Sequence, residues 1–405
     1  MIAPALVLVA ALGACTPGGD EKTPGLSPGA ARLLIPEAEL GEQAQKLLSN
    51  LKSDPFVYFR FINRPWARAV CRELGPVLSG RRKVHLHGDA HVGQYAFTRT
   101  SHGLDDLDDS IRGPAALDVV RFLASLDLAT RDRGWPAERE RLFDEFFEGY
   151  RAALMDRDYE PPVPGYVTRS RVSLVYDELE HLAWAESLMR PVAEMDDQGI
   201  EEGRQRLAAL VAAERPDLPS FYLEPKTFGW LRMGVGSALT PKLLLRCEGR
   251  TRADEDDFLL EARELSDLRG VSCVDLSASD MAARILEGYG RLGRIPHDLV
   301  VVVPSSPEPR PGAREWWART WEASYRELSL DQLASPDELA EIVHAAAAQL
   351  GNGHAWTPTG DPGTDLRDHK LRWLEEAEPR ARALAVRMTQ DLVEAWKAFR
   401  MPSEP

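Results

Sequence analysis

Cysteine is scarce in this chain of 405 residues: four are present, at positions 15, 71, 247 and 273. None forms a C-x-x-C pair and the spacings do not suit zinc, which excludes a structural zinc module. Positive charge is also in deficit. Against 64 Asp and Glu stand 49 Lys and Arg, a formal net charge of −15. A surface of that sign repels a phosphate backbone, so nucleic acid is not an expected partner, and a phosphate-bearing ligand needs cations placed locally. The apolar run IAPALVLVAALGA at 2–14 is too short to cross a bilayer as a mature helix. Internal repeats are absent.

That short run has the length of a signal-peptide core, and Leu12-Gly13-Ala14-Cys15 resembles a bacterial lipobox. The reading of residues 1–15 is a lipoprotein-type signal, with lipid attached to Cys15 and the mature chain held to the bacterial envelope, outside the cytoplasm, by that anchor alone. A buried or disordered N-terminal segment in a cytoplasmic protein is the alternative. Removing Cys15 from the count leaves three cysteines, so at least one is a free thiol.

Hydrophobic content of 44% and charged content of 28% are ordinary for a globular protein. The length suggests two lobes. Residues 16–35, rich in Gly and Pro, read as a flexible tether. Residues 36–220 read as a helical lobe that carries the motifs below, with helices over 36–79, 115–131, 136–155 and a long stretch at 172–213. Residues 221–325 read as a small β-rich lobe, with strands in KTFGWLRMGVGS, TPKLLLRCEG, DFLLEARE, DLVVVV and WWARTW. Residues 326–405 read as C-terminal helices that complete the helical lobe. The fold class is α+β.

HLHGDAHVGQ at 85–94 puts His85, His87, Gly88, Asp89, His91 and Gln94 into a strand-to-turn transition. A carboxylate on such a turn accepts a proton from a substrate hydroxyl and aims it for attack. The Gln94 carbonyl oxygen is a fitting ligand for a hard cation. LDDLDD at 104–109 follows at a distance that lets it fold back beside the turn. Leu104 and Leu107 interleave the acids as on a strand edge, which places Asp106 and Asp108 on one face, able to hold Mg²⁺. A solvated acidic turn is the plainer alternative. His85-x-His87-x-Asp89 with His91 also approaches a zinc-hydrolase signature, but Ala90 delays the last histidine by one residue.

Later signals are weaker. GVGS at 234–237 has glycines that let backbone amides approach phosphate, although hairpin turns use the same residues. Arg263, on the strand DFLLEARE, and Glu287, on the helix RILEGYGR, read first as surface charges. Trp316, Trp317 and Trp321 read first as core and second as a stacking surface for a base.

Taken together, GDAHVGQ, DDLDD, GP, LDVVRF, GVGS, LEAREL and RILEGYG resemble the bacterial family called domain of unknown function 2252 over roughly residues 36–400. That family in turn resembles protein kinases and aminoglycoside phosphotransferases. The resemblance implies a two-lobe kinase-like fold, circularly permuted so that the catalytic loop precedes the nucleotide lobe. It implies that Asp89 is catalytic, that Gln94 and Asp106, with Asp108, hold the metal, and that His87 and Asp118 are structural. Gly234, Gly236 and Ser237 would form the nucleotide loop. Arg263 would stand where the phosphate-binding lysine belongs, with Glu287 as its ion-pair partner, and Trp316–Trp321 would lie near adenine. Gln94 replaces asparagine and Leu239 a third glycine.

The expected function is metal-dependent phosphotransfer, with Mg²⁺ and ATP, to an unidentified small-molecule or envelope hydroxyl acceptor. The alternative is a catalytically inactive envelope lipoprotein that acts as a scaffold or ligand sensor, and a metal-dependent hydrolase built on His85, His87, Asp89 and His91 stands behind both.

Overall fold

Short polar residues and prolines set the first helix starts. Ser27 and Asp54 each accept a hydrogen bond from a backbone amide two or three residues on, with Pro28 and Pro55 at the first helical position, where a missing N–H costs nothing. The computed structural model describes residues 25–36, 40, 45–80, 82–174, 177–190, 197–231, 240–276, 283–303, 315–355 and 364–401. Cys15, Gly234, Gly236, Ser237 and Leu239 lie outside them.

Helices α1 (Pro28–Leu33), α2 (Gln45–Ser53), α3 (Pro55–Phe61), α4 (Asn63–Glu73) and α5 (Pro76–Ser79) come first. Short strands β1 (Val84–Leu86), β2 (Tyr95–Phe97), β3 (His102–Leu104) and β4 (Ile111–Gly113) follow, then α6 (Ala116–Asp132), α7 (Arg139–Met155), α8 (Gly165–Val172) and α9 (Glu178–Leu188). Next come β5 (Met189–Arg190), α10 (Asp197–Glu214), β6 (Pro225–Leu231), β7 (Lys242–Cys247), β8 (Phe258–Glu264), α11 (Ala283–Leu292), β9 (Val300–Val303), β10 (Trp316–Thr320) and β11 (Arg326–Glu327). Helices α12 (Pro336–Ala355) and α13 (Thr364–Arg400) close the chain. The mixed helix and sheet content is that of an α+β protein.

The long helix read at 172–213 is in fact broken. α8 ends at Val172, and α9 restarts after Asp177, whose carboxylate caps the Glu180 amide. The short strand β5 then separates α9 from α10.

Helix α6 is buried on every side from Ala116 to Thr130. Burying side chains such as Phe122, Leu123 and Leu126 contributes about 1.5–3 kcal/mol each. The polar residues on this helix are paired. Asp127 takes both forks of Arg131 at 2.9 Å, and Asp118 and Arg121 turn toward the site below. α7 packs on α12, and α13 packs along α6 and α1, which joins the first and last segments into one apolar core.

Among the described residues, the strands form three sheets. β1 pairs with β4, and β2 lies between β11 and β3. The largest sheet is antiparallel, in the order β5-β6-β7-β8-β10-β9. Alternation divides its residues. Leu243, Leu245, Cys247, Leu260, Ala318 and Val301 form an apolar cluster with Leu207 and Val211 of α10. On the opposite face, Leu244 and Leu259 pack against Leu182 and Ala185 of α9 at one end. The other end of that face is charged: Lys242, Glu261, Arg263 and Arg319.

Cys71 of α4 is disulfide-bonded to Cys273, with 5.5 Å between the Cα atoms and 202 residues between them in sequence. Among the described residues Cys247 is a free thiol, and it is buried.

Candidate functional site

The turn after β1 is held from below by one carboxylate. Asp118 accepts from the amides of His87 at 2.7 Å and Gly88 at 3.0 Å, and His354 Nε2 lies 3.0 Å from it. Burial alone would raise Asp118, but His354 and His87 and the backbone bond from Gly88 keep it below the usual carboxylate range. Tyr150 holds the far nitrogen of His354 at 2.8 Å.

Three residues join this turn to the acidic loop. His87 Nε2 lies 3.0 Å from the Asp105 carbonyl, and the Asp89 amide donates to His87 Nδ1 at 3.3 Å. A carbonyl only accepts, so Nε2 carries the proton. Asn63 Nδ2 donates to the Gly88 carbonyl at 3.1 Å and to the Asp109 carboxylate at 2.6 Å. Gly88 has φ +86°, and a Cβ there would come within 1.9 Å of the Asp109 carbonyl oxygen. Glycine is therefore required twice over, for conformation and for room.

Asp89 sits on this turn, 6% exposed. Arg121, one helical turn after Asp118, grips its Oδ1 through Nε at 2.5 Å and through Nη2, and Arg121 itself lies over the Phe59 ring at 4.1 Å. Burial pushes the Asp89 carboxyl up to about 6 against the pull of Arg121. Gln94 Nε2 donates to Asp89 Oδ2 at 3.4 Å.

The acidic loop is not a strand edge. β3 ends at Leu104, Asp106 is left-handed with φ 64°, and Leu107–Asp109 form a single 3-10 turn. A non-glycine residue in that region is uncommon, Asp being one of the types that tolerate it, and it persists where surrounding contacts fix it. The contacts come from the sheet. Arg263 Nη1 reaches Asp106 at 2.5 Å and Asp108 at 3.2 Å, and its other nitrogens reach Glu261 at 2.8 and 2.9 Å. Arg319 Nη1 donates to Asp105 at 2.8 Å and to the Tyr289 hydroxyl at 2.8 Å. Both guanidinium groups lie near the Trp317 ring, at 5.7 and 6.0 Å, and Trp321 Nε1 donates to Glu261 at 2.9 Å.

These pairings divide the acids. Burial would raise Asp106, but Arg263, Arg319 and Lys242 overcome it and hold its carboxyl well below the usual range. Asp105 is carried down to about 2, where Arg319 and His297 outweigh its burial, and Glu261 down to about 2, where Arg263, Lys242 and Arg319 do the same. Asp108 goes the other way. Burial and the neighbouring Asp106 and Asp109 push it well above the usual range.

Asp89, Gln94, Asp106, Asp108, Arg263, His87 and Asp118 thus belong to one connected network. Glu287 does not. It lies half-exposed on α11, 3.5 Å from His85 Nδ1 and 3.1 Å from Arg291. Arg263's carboxylate partner on the sheet is instead Glu261, two residues away on the same strand face. The E-x-R alternation is the signal for that pair. Arg319 and Arg121 were also legible: the first alternates with Trp317 and Trp321, and the second lies three residues after Asp118. Lys242 carries no such signal.

His87 and His91 both lie beside Asp89, His91 Nε2 at 3.7 Å from its carboxylate, and His85 stands apart. His85 Nε2 lies 3.1 Å from the Arg284 carbonyl, and burial lowers its pKa to about 4. His91 is buried, its ring edge-on to Phe56 and Phe59. Among the described residues, no cluster of three or more His, Cys, Asp or Glu side chains is poised around a metal. Asp106 and Asp108 share Arg263 and offer hard oxygens, the donor type of magnesium rather than zinc, while the Gln94 amide lies against Asp89.

No curated protein and no solved structure matches this chain. Residues 42–211, the stretch that holds Asp89, Gln94, Asp106, Asp108, Asp118 and Arg121, match the family model described as an uncharacterized protein conserved in bacteria (DUF2252).

Proposed function

We propose that this chain is a kinase-like protein with its lobes in permuted order, binding a magnesium–ATP complex between the Asp106 loop and the charged end of the large sheet and transferring phosphate to a hydroxyl acceptor. One observation carries the reading: the carboxylates of Asp105, Asp106 and Asp108 meet the guanidinium groups of Arg263 and Arg319 in a single cluster. Carboxylates for a metal and cations for phosphate are the two halves of a phosphoryl-transfer site.

In this reading Asp89 receives the acceptor's proton. A carboxyl near 6 is ionised at neutral pH yet basic enough to assist. Arg121 fixes where that carboxylate points. Asp106, Asp108 and the Gln94 carbonyl would hold magnesium, which draws charge from the phosphate oxygens when bound. Arg263 now satisfies Asp106, and it turns to phosphate once ligand enters. Asp118, through His87 and Gly88, keeps the turn in place throughout.

A second reading is a binding-only relative that works as a scaffold or sensor. It is favoured by the guanidinium groups that already occupy Asp89 and Asp106. Location in the envelope, anchored through Cys15, is supported by the Cys71–Cys273 disulfide, since such bonds persist in oxidising compartments.

Thermal unfolding with magnesium and ATP tests the shared part. A ligand of the native state raises the unfolding free energy, by about 2.7 kcal/mol at a hundredfold excess over Kd. Stabilisation by the pair, lost in Asp106→Ala, is expected. No stabilisation under any magnesium–nucleotide condition overturns both readings. Turnover across hydroxyl acceptors then favours the enzyme, and binding without turnover favours the sensor.

A further inference from the structure

Position 263 offers a guanidinium where the kinase pattern has a compact ammonium, and the two differ in shape, hydration and reach. The sheet supplies an ammonium one strand away. In the antiparallel pairing of β7 and β8, Lys242 lies directly opposite Arg263. Residues opposite each other in such a pair leave the same face, with β-carbons about 4.5–5.5 Å apart. Lys242 is 4% exposed, although lysine is among the residues least often buried. Its neighbours Leu243, Leu244 and Leu245 fill apolar clusters, so packing alone does not call for a charge at 242. Burial and Arg263 work against that charge, while Glu261, Asp106 and Asp108 support it. Lys242 leaves the same sheet face as Arg263, directly across the strand pair, so a phosphate drawn to one cation meets the other.

The row of cations also has a width. Lys242, Arg263 and Arg319 stand on β7, β8 and β10, three neighbouring strands. Arg319 stands opposite Glu261, two residues along the sheet from the Lys242–Arg263 pair, so the group spans two strand spacings, about 9–10 Å, on a diagonal. A row of that width suits a chain of two or three phosphates rather than one.

Resting on the phosphotransfer reading, we propose that Lys242 supplies the ammonium that position 263 lacks. It grips phosphate oxygens beside Arg263 and Arg319, and the ligand is a polyphosphate with at least two phosphate groups. The lysine is relocated by one strand rather than lost.

Calorimetric titrations of magnesium ADP, magnesium pyrophosphate and magnesium AMP into the wild-type chain, Lys242→Met, and Lys242→Met combined with Arg263→Lys test this. Methionine keeps the straight buried stem and removes the charge. Wild type is expected to bind ADP and pyrophosphate at least tenfold more tightly than AMP. Lys242→Met is expected to lose at least tenfold for both diphosphates with its circular dichroism unchanged, and Arg263→Lys to regain part of that loss.

Should Lys242→Met fail to fold, an acyl phosphate of ADP applied to wild type reads the same contact. The lysine amine attacks the acyl carbon, the nucleotide phosphate leaves, the amine gives up a proton, and an amide remains for mass spectrometry to locate. Label at Lys242 that excess magnesium ATP blocks is the expected result. A folded Lys242→Met that binds magnesium ADP like wild type, or label confined to other lysines, overturns the assignment of Lys242 alone. A wild-type chain that binds none of the magnesium nucleotides defeats the phosphotransfer reading, and this inference falls with it.

Discussion

Arg263 and Asp106 are 157 residues apart in sequence and 2.5 Å apart in space. With the Arg263–Asp108 and Arg319–Asp105 contacts it ties the large sheet to the acidic loop, and through Asp109, Asn63 and Gly88 to the turn that carries Asp89. Its removal leaves Asp106, Asp108 and Glu261 without their shared cation. Breaking a buried ion pair from one side costs about 3–5 kcal/mol. Arg263→Ala is therefore expected to lose that much in urea unfolding, and a loss below about 1 kcal/mol would mean the cluster holds without it.

Gly88→Ala is expected to destabilise more than any exposed glycine change. The left-handed backbone alone costs about 1–2 kcal/mol for a residue with a Cβ. The overlap with the Asp109 carbonyl adds to that. Gly134→Ala shares the positive φ and has open space around its Cβ, so it serves as the control. Equal losses in the two variants would show that the turn and the acidic loop do not press together.

The disulfide closes a span of 202 residues. Losing such a bond costs about 2–5 kcal/mol, because the unfolded chain gains freedom. Cys71→Ser is expected to fall in that range. In wild type denatured without reductant, Cys71 and Cys273 are expected to resist alkylation while Cys247 reacts. Alkylation of Cys71 and Cys273 under those conditions would remove the support for an oxidising compartment.

Acid should weaken the cluster in a defined window. Asp105 and Glu261 are held at about 2, below their ordinary 3.8 and 4.5. A carboxyl depressed by folding contributes stability that is complete above its unfolded value and is lost as pH falls toward the folded one. The loss is expected between about pH 4.5 and 2, and Asp105→Asn should flatten it. Asp89, raised to about 6, has the opposite sign. It binds its proton more tightly in the folded state, so its contribution declines as pH rises from about 4 to 6, and Asp89→Asn should remove that slope. Unfolding free energies measured across pH 2–7 decide both.

Much of this site is legible in the sequence because it is local. The strand-to-turn pattern ending in Gly88-Asp89 follows from apolar residues giving way to glycine, and Asp118 opens a helix whose first turn faces that loop. What is not legible depends on distant register. The 104–109 segment alternates like a strand, yet Arg263 and Arg319 draw its carboxylates upward and leave Asp106 left-handed. Glu287 is the plausible partner for Arg263 on the kinase pattern, but Glu261 lies nearer, on the same strand. Lys242 looks like a strand-end lysine bound for solvent until the pairing of β7 with β8 turns it inward. The helix read at 172–213 fails for a local reason that was available, the capping aspartate at 177.

The most direct measurement is a crystal of the wild-type chain grown with ADP and manganese in place of magnesium, with the metal located by its anomalous signal. A manganese peak at the Asp106 and Asp108 carboxylates, with the nucleotide phosphates against Lys242, Arg263 and Arg319, is the expected result. Nucleotide and metal bound elsewhere, with the Arg263–Asp106 pair intact, would contradict the proposed cleft.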